Sequence, residues 1–189
     1  MKLLIFEGLD RCGKDTIINK ITEDYSHLIR VHFSFPKGEN NEEKTEYQVR
    51  SFNSEMTVQS NLRFIYGQSY FENGIYIWNR SHIGEYVYGP MYRDSNPESW
   101  IKPLEEAFFA ADENAYLIYL YADVDFLLKN DDGKSFTNDK DKKENELKLF
   151  NEAIDKSCIK NKLKIKVNDG NEYISIDTIY ETIKDAISK

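Results

Sequence analysis

Three stretches of the chain are apolar almost without interruption, and each stops at a polar or turn-forming residue. Residues 3–6 (L-L-I-F) run up to Gly8, residues 74–79 read G-I-Y-I-W-N, and residues 115–122 read A-Y-L-I-Y-L-Y-A. Continuous apolar runs this short predict strands buried on both faces, as in a parallel sheet. Residues 28–35 alternate instead and stop at Pro36, which predicts a further strand. Between the strands the period changes. Ile17, Ile18 and Ile21 recur at helical spacing, so a helix is expected from about Gly13. Residues 47–73 are helical in character, with breaks expected at Ser54 and Gly67, and Pro97 and Pro103 bracket the entry to a helix running to about Asn114. Residues 147–158 read as an amphipathic helix, residues 173–176 as a short last strand, and Ile179, Ile183 and Ile187 mark a closing helix.

Two polar stretches interrupt this pattern. Residues 37–46 read as a loop, and residues 129–146, dense in Lys, Asp, Glu and Asn, as a mobile surface segment. Strands alternating with helices predict an α/β fold of three layers, with a five-stranded parallel sheet and helices on both faces, in one domain over residues 1–189.

The chemistry enters with Gly8-Leu9-Asp10-Arg11-Cys12-Gly13-Lys14-Asp15-Thr16, which fits G-x-x-x-x-G-K between a strand and a helix. Small residues let backbone N–H groups converge on phosphate oxygens, the helix start adds its dipole, and Lys14 supplies a mobile cation. Gly8, Asp10, Arg11, Cys12, Gly13, Lys14, Asp15 and Thr16 are therefore the expected triphosphate site. The position after the lysine usually carries a hydroxyl for Mg²⁺; here it is Asp15. The third strand ends Trp78-Asn79-Arg80, with an amide where such strands often carry an acid. Read together, the carboxylate and the neutral oxygen have exchanged places, which makes Asp15 and Asn79 the expected metal ligands. The rival reading is a degenerate, weakly active site. Arg80, at the C-terminal end of a central strand, suits phosphate or a structural ion pair equally well.

Composition narrows this further. The chain has 189 residues, 40% hydrophobic and 31% charged, and a net charge of −8. That global field opposes binding to polymeric nucleic acid. Two cysteines, one of them inside the phosphate loop, fit a reducing cytoplasm rather than a disulfide scaffold. The opening apolar run is too short for a signal peptide, and no stretch has the length of a membrane span, so no membrane partner is expected.

With these residues in view, the chain resembles the thymidylate kinase-like branch of nucleoside monophosphate kinases, including phage deoxynucleotide kinases. The likeness is carried by Phe6-Glu7-Gly8-Leu9-Asp10-Arg11-Cys12-Gly13-Lys14, by Phe35-Pro36, by Asn79-Arg80-Ser81, by Val87-Tyr88-Gly89, and by Ile176-Asp177 leading into Ile179-Tyr180-Glu181-Thr182-Ile183. The resemblance implies ATP with Mg²⁺ as donor, Lys14, Arg11, Arg80 and Asp10 as the catalytic set, and a lid over residues 129–146. Asp10 would contact the acceptor sugar and Arg11 the transferring phosphoryl group. The lid holds Lys129, Lys134, Lys140, Lys142 and Lys143 but no arginine, as in members with such a loop arginine; a solvated charged loop accounts for most of these lysines. The acceptor would be held by Asp10, Lys37, Arg80, Glu85 and Tyr88, with Phe64 stacking on the base and Gln68, one helical turn on, pairing with its edge. Arg50, Arg63 and Arg93 are alternatives to Lys37 for the acceptor phosphate, and His82 reads as structural. The likeness also implies small-molecule nucleotides as partners, a cytoplasmic location (the host's, if phage-encoded), and the homodimers common in the family.

Three other readings stay open. A deoxynucleoside kinase would need a carboxylate base, and Glu7 is in place for one. A kinase of modified bases in phage DNA would need a basic groove. A non-catalytic nucleotide-binding module would keep the loop and lose the metal.

Overall fold

The computed structural model describes residues 1–25, 27–66, 74–133 and 135–188. Strand β1 (Lys2–Glu7) pairs in parallel with β3 (Ile75–Asn79) on one side and β4 (Ala115–Tyr121) on the other. The strand β2 (Leu28–His32) lies outside β3, and β5 (Asn161–Lys166) lies outside β4, so the order is β2-β3-β1-β4-β5. Among the described residues seven α-helices cover both faces: α1 (Lys14–Asp24), α2 (Asn41–Tyr66), α3 (Glu85–Arg93), α4 (Glu98–Phe109), α5 (Val124–Lys129), α6 (Lys140–Lys156) and α7 (Ile176–Ile187). Helix α1 packs on α7, α2 on α4, and α3 on α6. The apolar runs are apolar because both faces are covered: Leu4, Ile5 and Phe6 of β1, Ile77 and Trp78 of β3, and Leu117 and Ile118 of β4 are fully buried. Each such side chain contributes on the order of 1.5–3 kcal/mol of burial.

Four expectations about elements need correction. The second strand stops at His32 rather than Phe35. His32 pairs with Asn79, the last residue of β3, Phe33 N still donates to the Asn79 backbone carbonyl at 3.3 Å, and Arg80 beyond it turns away at φ 69°, so residues 34–35 have no strand to join. Helix α2 starts at Asn41, inside the expected loop, because Asn40 Oδ1 caps Glu43 N at 2.9 Å and Glu43 Oε2 accepts from Glu39 N at 2.8 Å. It runs through Ser54 without a break, while Gly67 lies outside the described residues. Helix α6 likewise begins inside the expected mobile segment, capped by Asp139 Oδ1 on Lys142 N at 2.9 Å.

The fifth strand of the sheet is Asn161–Lys166, not residues 173–176. Its N-K-L-K-I-K pattern belongs to an edge, where lysines discourage further pairing. Tyr173 sits instead in a small hairpin of β6 (Asn168–Asp169) and β7 (Glu172–Tyr173), and Ile176 opens α7.

A buried polar knot joins the 3-10 turn after β3 (His82–Gly84), α4 and the end of α6. His82 Nε2 lies 2.9 Å from Glu105 Oε1, which also accepts from Ser157 Oγ at 2.6 Å, while Cys158 N donates to Glu105 Oε2 at 3.1 Å. His82 is therefore a structural residue. Arg63 forks onto Asp112 at 2.5 and 3.0 Å and likewise serves the fold. Among the described residues no helix is long and apolar enough to cross a membrane.

Candidate active site

The phosphate loop leaves β1 at a point where only glycine fits. Gly8 has φ 142°, and a Cβ there would stand 2.0 Å from the Leu120 carbonyl oxygen of β4. Arg11 and Gly13 also take positive φ, each 73°, which closes the loop onto the start of α1. No side chain caps that helix, so its first-turn N–H groups are left for an anion. Lys14 Nζ folds back and donates to the carbonyls of Gly8 at 2.7 Å and Leu9 at 2.8 Å. Burial, and then the charge of Arg80, push its pKa below the ordinary lysine value. Cys12 is buried in the loop with a free thiol, which burial pushes up to about 11. The Gly8→Ala variant is expected to lose about 3 kcal/mol, by the scale of overpacked cores, and to melt roughly 6–12 °C lower in a thermal unfolding scan.

On one side of the loop lies a cleft of 390 Å³, lined among others by Glu7, Asp10, Gln48, Phe52, Arg80, Glu85, Tyr88 and Arg93. Arg80 NH2 donates to Asp10 Oδ1 at 2.5 Å, and the Phe136 N–H donates to Asp10 Oδ2 at 3.1 Å. Burial alone would raise the Asp10 carboxyl, but Arg80, Lys14 and the Phe136 N–H outweigh it and hold it below the usual aspartate value. Arg93 pairs with Glu85 Oε2, and Gln48 Nε2 donates to Glu85 Oε1 at 3.1 Å. Deeper in, Glu7 Oε1 accepts from Ser81 Oγ at 2.7 Å and from Gly84 N at 3.2 Å. Glu7 Oε2 is buried with no hydrogen-bond partner among the described residues, and burial raises this carboxyl above the ordinary glutamate value.

On the other side lies a cleft of 510 Å³ whose lining includes Arg11, Cys12, Gly13, Thr16, Val167, Tyr173, Ile174 and Ile179. Tyr173 OH donates to the Arg11 carbonyl at 3.0 Å and so ties the β6–β7 hairpin to the loop. The Arg11 guanidinium forms an ion pair with Asp132, on the connection between α5 and α6.

Asp15 and Asn79 do meet: Asn79 Nδ2 donates to Asp15 Oδ1 at 2.7 Å. Arg30 of β2, a residue the sequence did not single out, donates to the same oxygen at 2.7 Å. Asp15 Oδ2 and the side-chain Oδ1 of Asn79 are the oxygens these two residues would offer a metal. Among the described residues no cluster of three or more His, Cys, Asp or Glu residues could hold one. This donor set fits magnesium held mainly by polyphosphate oxygens and water, with the protein supplying one or two oxygens.

No family model matches the sequence, and no curated protein sequence matches it. Solved structures do. The YorR protein of Bacillus subtilis, in complex with phosphorylated GDP, superposes with a TM-score of 0.69 at 20% identity, over 98% of this chain and 95% of that one. Thymidylate kinase from Candida albicans superposes with a TM-score of 0.62 at 14% identity, over 99% and 91%. The chain has a thymidylate kinase-like P-loop kinase fold.

Within this kinase fold the expected residues separate into two groups. Asp10, Arg80, Glu85 and Tyr88 converge on the 390 Å³ cleft, and Arg11, Cys12, Gly13 and Thr16 on the other. Lys37 does not line the 390 Å³ cleft; its ammonium lies 5.9 Å over the Tyr47 ring. Of the alternatives to it, Arg93 alone lines that cleft, and Arg50 pairs with Glu46 on the surface. Phe64 is also outside the cleft and 68% exposed. Helix α2 presents Gln48 and Phe52, one turn apart, to the cleft, and Phe64 lies about 18 Å beyond Phe52 along the axis. Gln68 and Lys134 lie outside the described residues. Lys143 is not a solvated lysine but is fully buried on α6.

Proposed function

We propose that the protein transfers the γ-phosphoryl group of ATP to the phosphate of a nucleoside monophosphate. The observation that carries this reading is one phosphate loop standing between two clefts, with Asp10 and Arg80 in one and Arg11, Cys12, Gly13 and Thr16 in the other. The 510 Å³ cleft, apolar toward Val167, Ile174 and Ile179, suits the donor nucleoside, and the 390 Å³ cleft suits the acceptor. In the reaction an acceptor phosphate oxygen forms a bond to the γ-phosphorus. The bond to the β–γ bridging oxygen breaks, and its electron pair leaves with the nucleoside diphosphate.

This transfer needs position and charge neutralisation more than covalent help. Lys14, released from the Gly8 and Leu9 carbonyls, and Arg80 offset the phosphoryl charge. Asp10, kept ionised by Arg80, accepts a hydrogen bond from the acceptor sugar. Asp15 and Asn79 would hold magnesium, which would supply further charge neutralisation at the site. The connection from α5 to α6, tied to the loop through Asp132 and Phe136, is the lid over the site.

A coupled assay of ADP formation against nucleosides, nucleoside monophosphates and duplex DNA tests the reading. Activity with monophosphates alone supports it, activity with duplex DNA alone replaces it, and activity with none leaves a binding module. A second reading, a nucleoside kinase, is favoured by the buried, unpartnered Glu7 Oε2, which could take the proton of a hydroxyl acceptor. On that reading Glu7→Gln loses on the order of 10²–10⁴ in kcat. The wild-type rate then rises with pH through a value above the ordinary glutamate range, because the active form is the deprotonated one and burial has raised its pKa. On the monophosphate reading the acceptor brings an ionised oxygen of its own, and the same variant loses less than about ten-fold.

A further inference from the structure

The acceptor-side cleft has a mouth with an unusual composition. Phe35 is 73% exposed and Phe136 is 48% exposed, and neither ring belongs to the core. They come from segments far apart in sequence: Phe35 from the stretch after β2 that finds no strand to pair with, Phe136 from the connection between α5 and α6. Their ring centroids nevertheless lie 6.1 Å apart with planes only 27° from parallel. Tyr92 meets the Phe136 ring edge-on at 4.5 Å, and Tyr88 backs it at 6.0 Å. The backbone N–H of Phe136 is fixed on Asp10 Oδ2, whose other oxygen holds Arg80.

Two exposed parallel rings, one of them anchored beside the reacting groups, are costly to leave in water unless something flat is to lie between them. Two stacking contacts of about 3.5 Å each would set such rings about 7 Å apart, so an opening of about 1 Å admits one planar ring.

We infer that Phe35 and Phe136 form a clamp for the heteroaromatic base of the acceptor. The inference rests on the kinase reading above and deepens it. It transfers base stacking from helix α2 to two loops, one of which is the lid. A bound acceptor then holds the lid in place, because Phe136, whose ring grips the base, also donates its backbone N–H to Asp10.

The test uses the full chain and, as probes, each of the four deoxynucleoside monophosphates together with deoxyribose 5-phosphate, which has the sugar and phosphate but no base. Equilibrium binding and steady-state kinetics are measured for wild type, Phe35→Ala, Phe136→Ala, Phe136→Leu and Phe136→Tyr. Both rings are exposed, so unchanged melting temperatures are expected and confirm folding. The clamp predicts that Phe35→Ala, Phe136→Ala and Phe136→Leu each weaken binding of the accepted monophosphate by about ten-fold or more. Phe136→Tyr should restore binding, ATP KM should stay within two-fold, and deoxyribose 5-phosphate should bind all five proteins alike. If the alanine variants bind the monophosphate as tightly as wild type, or more tightly because Phe136 merely plugs the cleft, the clamp is wrong and the kinase reading survives. If wild type binds none of the monophosphates, the kinase reading fails and the clamp falls with it.

Discussion

Lys14→Met is expected to lower kcat/KM for ATP by at least about 10³, the upper range for removing one preorganised charged donor from a phosphoryl or oxyanion site. That corresponds to about 4 kcal/mol of transition-state stabilisation. The expectation follows from where the ammonium sits. It is buried at the base of the loop, within hydrogen-bond distance of two loop carbonyls, and its pKa is pushed down by burial and by Arg80. A polyphosphate arriving at the first turn of α1 offers it anionic acceptors in place of neutral ones, which roughly doubles the strength of each bond. Methionine keeps the length and apolar stem, so the thermal midpoint separates lost chemistry from lost folding. Turnover and ATP affinity equal to wild type in a folded Lys14→Met protein would refute the phosphate-loop assignment itself.

Arg80→Ala is expected to have the second largest effect, a loss on the order of 10²–10³ in kcat/KM for the acceptor. The arginine holds Asp10 at 2.5 Å and is itself held by the Phe6 carbonyl through its backbone N–H at 3.0 Å. Without it a partly buried carboxylate loses its counter-charge. The stability cost should be only about 1–2 kcal/mol, because both side chains keep some contact with water. The pH dependence has a definite sign. Asp10 has a lowered pKa in the folded protein, so its ion pair stabilises the fold above the unfolded value and loses that contribution as pH falls through the lowered one. In Arg80→Ala this acid-side loss should shrink. Urea titrations of both proteins at pH 7 and at pH 3 read the difference. Equal acid sensitivity would show that Arg80 is not what keeps Asp10 ionised.

The phosphate loop could be read directly because its chemistry is local: Gly8, Gly13 and Lys14 are fixed by turn geometry and by the helix that follows. The three inner strands β3, β1 and β4 were legible for a related reason, since burial on both faces leaves no room for polar residues. The edge strand β5 escaped notice because only Leu163 and Ile165 are apolar within it. Helix α2 was begun too late, although Asn40 followed three residues later by Glu43 is a capping signature. The stacking role at Phe64 was implied by the family resemblance alone, and the residues of this helix that line the cleft are Gln48 and Phe52. The residues least visible in sequence were those that matter by being brought together: Arg30 beside Asp15, Gln48 beside Glu85, and Phe136 beside Asp10. Each contact spans at least 15 positions, and no local pattern announces it.

Cys12 has one more implication. Its sulfur lies at the heart of the phosphate-loop turn, yet burial pushes the thiol up to about 11, so almost none of it is thiolate at neutral pH. It serves as hydrocarbon-like filling beneath the turn. Peroxide and alkylating agents are therefore expected to modify Cys12 far more slowly than an exposed low-pKa thiol, which mass spectrometry of the treated native protein would read.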